Sequence, residues 1–90
     1  MQLNVERGAP ATGKTIRLRQ IAQADGQSEQ QILVGRNCTP AALAHSVRRL
    51  VGRGAKVICI DECSEDQIAG LQILQRRLRV NVTIHAVVAN

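Results

Sequence analysis

Polar and apolar residues alternate along "QLNVE", residues 2–6, the period-two pattern of a strand with one solvated face. The period then changes. Across "GKTIRLRQIAQADG", residues 13–26, Leu18, Ile21 and Ala22 recur on one helical face, and Gly26 supplies a C-terminal stop. "QQILVG", residues 30–35, is a second short strand. In "TPAALAHSVRRLVGRG", residues 39–54, Thr39 stands as N-cap and Pro40 as first helical residue. Leu43, Val47, Leu50 and Val51 form the apolar stripe of that helix. "KVICID", residues 56–61, is an apolar run of the kind buried on both faces. Ser64 followed by Gln67 is a capping box opening a third helix, in which Ile68, Leu71, Leu74 and Leu78 face inward. "VNVTIHAVVAN", residues 80–90, is the last strand.

The order β-α-β-α-β-α-β predicts an α/β fold of three layers, helices on both faces of a four-stranded parallel sheet. Residues 1–90 form a single domain with no linker, internal repeat or low-complexity segment, and a chain of that length buries a modest core. No apolar run approaches the roughly 20 residues that span a bilayer, and "QLNVERG" has neither a charged n-region nor an apolar h-region. A soluble, cytoplasmic protein is expected. Phe, Tyr and Trp are absent, so the core is built from Val, Ile, Leu and Ala, and no aromatic platform can stack an unpaired base. Cys38, Cys59 and Cys63 lack metal-like CxxC spacing and read as free thiols, Cys59 as a core residue.

The chemistry concentrates between the first strand and the first helix. "GAPATGKT" places Gly8, Gly13, Lys14 and Thr15 in the pattern G-x-x-x-x-G-K-[ST]. Backbone N–H groups from about Ala11 through Thr12, Gly13 and Lys14 to Thr15 would point at phosphate oxygens beside a helix N-terminus. Lys14 would neutralise the terminal phosphates, and the Thr15 hydroxyl would ligate Mg²⁺. "VICIDE" then ends an apolar strand on Asp61 and Glu62, a carboxylate for Mg²⁺ and a general base for an attacking water. Asn90 closes the fourth strand, where it would orient that water or sense the terminal phosphate. Ligands of open parallel sheets bind at this carboxyl edge.

Together these residues resemble the P-loop NTPases, in the branch that places Glu directly after the Walker B Asp: AAA+ ATPases, RecA-like proteins and superfamily-3 helicases. "GAPATGKT" is similar to the GPPGTGKT loop of that family but has Ala at 9 and 11, and Ala11 restricts the loop if the position needs a positive φ. "VICIDE" looks like the Walker B strand and "HAVVAN" like the sensor strand. The resemblance implies strand order 1-4-3-2, because the sensor strand of that branch lies between the P-loop and Walker B strands. It leaves the polar first strand at an edge, where an open edge invites self-association. It also implies Mg²⁺ and ATP as cofactor and substrate, with GTP as the alternative. Nothing follows the sensor strand that could form a lid or acceptor pocket, which argues against a small-molecule kinase.

The net charge is +5, and residues 31–60 carry Arg36, Arg48, Arg49, Arg53 and Lys56 without an acidic residue. Such a surface suits a polyanion, so nucleic acid held through Arg48, Arg49 and Arg53 is an expected partner. Helices antiparallel to the strands carry Arg48, Arg49, Arg53, Arg76, Arg77 and Arg79 to the edge opposite the phosphate loop, where they complement helix C-termini. Arg36, just after the second strand, lies on the carboxyl edge, expected to act only on a neighbouring subunit. Neither His45 nor His85 has the company that a metal site needs. Cys63 reads as an exposed thiol whose pKa the third helix lowers. The expected function is slow hydrolysis of a bound nucleoside triphosphate by Lys14, Glu62 and Asn90. A non-catalytic nucleotide- or nucleic-acid-binding module is the alternative.

Overall fold

The computed structural model describes residues 1–7, 14–26 and 31–89, apart from the side chains of Lys14 and Thr15. Its elements are β1 (Gln2–Glu6), α1 (Lys14–Ala24), β2 (Leu33–Val34), α2 (Pro40–Gly52), β3 (Val57–Cys63), α3 (Glu65–Arg77) and β4 (Thr83–Val88). The sheet is four-stranded and wholly parallel, in the order β1-β4-β3-β2. This is the expected three-layer α/β arrangement, and β1 lies at an edge.

Alternation across the sheet sorts the core. Ile58, Ile60, Ile84, Ala86 and Val88 pack with Leu43 and Val47 of α2 and Ile68, Leu71 and Leu74 of α3. Cys59 and Val87 face the other way and pack against Leu18 and Ala22 of α1. Strands three and four therefore bury both faces, which is why their sequences read as continuous apolar runs. β1 buries Leu3 and Val5 only in part, as its alternation requires.

Local chemistry fixes the helix starts. The Thr39 hydroxyl accepts the Ala42 N–H at 3.0 Å, with Pro40 in the first turn. Ser64 and Gln67 form the full capping box. Ser64 Oγ accepts the Gln67 N–H at 3.1 Å, and Gln67 Oε1 accepts the Ser64 N–H at 2.9 Å.

Three strands depart from the sequence reading: β4 begins at Thr83 rather than Val80, β2 begins only at Leu33, and both β2 and β3 end differently at the carboxyl edge. β2 keeps only two residues of the six expected and turns into a 3₁₀ turn, Gly35–Asn37. The buried Gln67 amide explains the early exit, because its Nε2 donates to Gly35 O at 2.7 Å and Cys38 O at 2.8 Å. Those carbonyls bond a side chain, and the chain bends around it. β3 conversely runs two residues past Asp61. Ile60 pairs with Ala86 but Cys63 with Val88, so β3 carries one extra residue, a bulge at Asp61 and Glu62. Glu62 takes φ 54°, the one positive φ among described non-glycine residues.

Candidate functional site

Parallel strands bring their carboxyl ends to one edge, and the chain returns to that edge at the start of every helix. The end of β1 at Glu6, the start of α1 at Lys14, and Asp61 and Glu62 of β3 therefore share it, with β4 between β1 and β3. Gly8, Ala11, Thr12, Gly13 and Asn90, with the side chains of Lys14 and Thr15, lie outside the described residues. The described part of the site is its acidic half and the frame around it.

The bulge sends the two acids apart. Asp61 continues the row of Val57 and Cys59, which faces α1. Its Oδ1 accepts the N–H of Glu62 at 2.9 Å, a bond that holds the left-handed backbone of the bulge. Such a conformation in a residue with a Cβ costs roughly 1 kcal/mol or more. Glu62 lines a cleft of about 330 Å³ on the α2–α3 side, with Gly35, Arg36, Cys63, Ser64 and Gln67. There its Oε2 lies 3.2 Å from Arg36 Nη2. Arg36 thus meets its own chain's Glu62, a contact the sequence reading missed in assigning Arg36 to a neighbouring subunit. The pair is solvated, with Arg36 72% and Glu62 36% exposed, so it contributes at most about 1 kcal/mol and can open.

Cys63 reverses the expectation for a reactive thiol. It is fully buried, and burial, reinforced by the charge of Asp61, pushes its pKa up to about 12. The extra residue of the bulge is the cause: it shifts the alternation so that Cys63 joins Ile58 and Ile60 in the core.

Two further residues frame the site. Arg7, directly after β1, grips Glu65 in the first turn of α3 through Nε to Oε2 and Nη2 to Oε1, both 2.9 Å. The fork holds the Glu65 carboxyl below the usual glutamate range and raises the Arg7 guanidinium. It anchors the chain where it leaves the sheet for residues 8–13. Nothing local in the sequence pairs Glu65 with a residue 58 positions away. Gln67 is the second, because it clamps the end of β2 beside Glu62. On the α1 face, Arg17 pairs with Glu6. Asn4 meets His85 at 3.5 Å, and burial lowers the His85 pKa.

Among the described residues no cluster of three or more His, Cys, Asp or Glu side chains could hold a metal ion. Magnesium needs only one or two carboxylates when phosphate oxygens and water complete its octahedron. Asp61, partly exposed at the sheet edge and facing the helix that starts at Lys14, fits that lighter requirement. No helix of the described residues is long and apolar enough to cross a membrane. Comparison with protein-family models, curated proteins and solved structures finds no match.

Proposed function

We propose that the chain binds a magnesium nucleoside triphosphate, ATP with GTP as the alternative, and hydrolyses it slowly. The observation that carries this reading is the coincidence, at one sheet edge, of the strand-to-helix junction that carries GAPATGKT and the bulged Asp61–Glu62 pair. In this reading, amides from Ala11 to Thr15 with Gly8 and Gly13 cradle the phosphates, and Lys14 neutralises them. Thr15 and Asp61 hold Mg²⁺, which would spread the charge of the phosphate oxygens. Glu62 takes the proton of the attacking water, and Asn90 orients that water. Glu62 is paired with Arg36, so the base must release or share that partner first, which keeps turnover slow.

Phosphate release measured on Glu62→Gln and Asp61→Asn tests the assignment. Glu62→Gln should abolish turnover while sparing nucleotide binding, and Asp61→Asn should weaken the magnesium dependence of binding. Turnover unchanged in Glu62→Gln would reject the base.

A second reading, a nucleic-acid-binding module that needs no hydrolysis, has its own support. Arg48, Arg49, Arg53, Lys56, Arg76, Arg77 and Arg79 are all exposed, and none makes an ion pair among the described residues. Affinity for single-stranded DNA that falls steeply with salt, and less steeply in Arg48→Ala and Arg49→Ala, would favour it.

A further inference from the structure

The outer flank of α3 carries a row left open among the described residues. Asp66, Gly70, Ile73 and Arg77 follow one another at helical spacing and so share one face. Ile73 is 52% exposed, one of two large hydrophobic side chains left so open among the described residues. Beside it runs a groove of about 230 Å³ between α2 and α3, lined by Ala41, Ala44, Arg48, Gly70, Ile73 and Arg77. Gly70 sits in the middle of a 13-residue helix, and a Cβ added there would meet nothing within 4 Å. A mid-helix glycine weakens its helix relative to alanine, and no packing among the described residues accounts for it. Asp66 and Arg77 stand at opposite ends of the row, and neither makes an ion pair among the described residues.

We propose that this face docks a second copy of the chain about a two-fold axis crossing α3 between Gly70 and Ile73. The row is self-complementary when two copies lie antiparallel. Ile73 of each copy enters the groove over Gly70 of the other, the small residue giving the room that the branched one fills. Asp66 of each meets Arg77 of the other, with Arg48 lining the same end of the groove. An isologous interface requires this reciprocity, in which every contact occurs twice. Charge and shape both select the antiparallel register, because the parallel one sets Asp66 against Asp66 and Arg77 against Arg77. A nucleic-acid strand would match the arginines but not the apolar floor or the aspartate.

Sedimentation equilibrium of the full chain, from micromolar to millimolar, tests the proposal. The parent should follow a monomer–dimer equilibrium. Ile73→Lys and Gly70→Leu should each weaken it at least about tenfold, since each substitution acts twice across the axis. Asp66→Arg alone and Arg77→Asp alone should weaken it to a similar degree, and the double reversal should recover most of the loss. Far-UV circular dichroism of each variant under dilute conditions checks that it is folded. A parent that stays monomeric throughout overturns the proposal. So does a dimer indifferent to Ile73→Lys and Gly70→Leu, or a double reversal no better than its singles.

Discussion

Replacing Gln67 by Leu removes a buried side chain that ties three segments together. Its amide donates to Gly35 O at 2.7 Å and Cys38 O at 2.8 Å, and its carbonyl accepts the Ser64 N–H at 2.9 Å. Leucine nearly matches the volume, so little cavity forms, and the loss comes from the abandoned partners. Each buried polar group left unpaired costs about 1–3 kcal/mol. Gly35 O is buried but keeps the Cys38 N–H at 3.0 Å, so it loses one of two partners, Cys38 O is partly buried, and Ser64 is exposed enough for water to replace its bond. The sum is about 2 kcal/mol, a sizeable share of the roughly 5–13 kcal/mol expected for a chain of this length. Urea unfolding followed by far-UV circular dichroism reads it directly, and the chain has no aromatic fluorophore to use instead. Gln67→Glu adds a pH signature. Only its protonated form can donate to a carbonyl, so its folded pKa is raised. Its stability is then fullest below the ordinary glutamate pKa and falls as pH rises through the raised value. A Gln67→Leu loss below about 1 kcal/mol, or a Gln67→Glu protein indifferent to pH, would refute the clamp.

Four further outcomes follow from the same geometry. Glu62→Gly should stabilise the fold by about 0.5–1 kcal/mol in urea unfolding, by removing a Cβ from a left-handed backbone, while it abolishes phosphate release. Arg36→Ala should raise the rate of phosphate release by freeing Glu62 and change stability by less than about 1 kcal/mol. Arg7→Ala should be less stable than the parent near neutrality. Because Arg7 lowers the Glu65 pKa, that gap is present above the ordinary glutamate range and closes as pH falls through the lowered value, as urea midpoints taken across pH will show. With a thiol-specific reagent, the partly exposed Cys38 should react promptly, and the buried Cys59 and Cys63 only on unfolding.

Period and caps made most of the fold legible. Thr39, Pro40, Ser64 and Gln67 announce their helix starts in the sequence and form them in the structure. The apolar character of β3 and β4 and the polar alternation of β1 foretold which strands are central. At the carboxyl edge such local rules fail, because the outcome there depends on contacts between distant segments. Nothing in "IDEC" signals that Glu62 will adopt φ 54°, a conformation more typical of glycine. That one residue displaces the alternation, moves Cys63 from surface to core, and turns Glu62 toward Arg36. Gln67 was read as half of a capping box, and its other half, the grip on Gly35 and Cys38, needs β2 beside it. Gly35 matters for the same reason, since a Cβ there would lie 2.5 Å from Gln67 Oε1.

The central claim, that one sheet edge assembles a triphosphate site, is tested most directly by calorimetric titration of ATP into parent and Lys14→Ala protein, with and without Mg²⁺. The account predicts magnesium-dependent binding in the parent, weakened by at least about tenfold in Lys14→Ala. No heat of binding in the parent, or equal affinity in the two proteins, would contradict it.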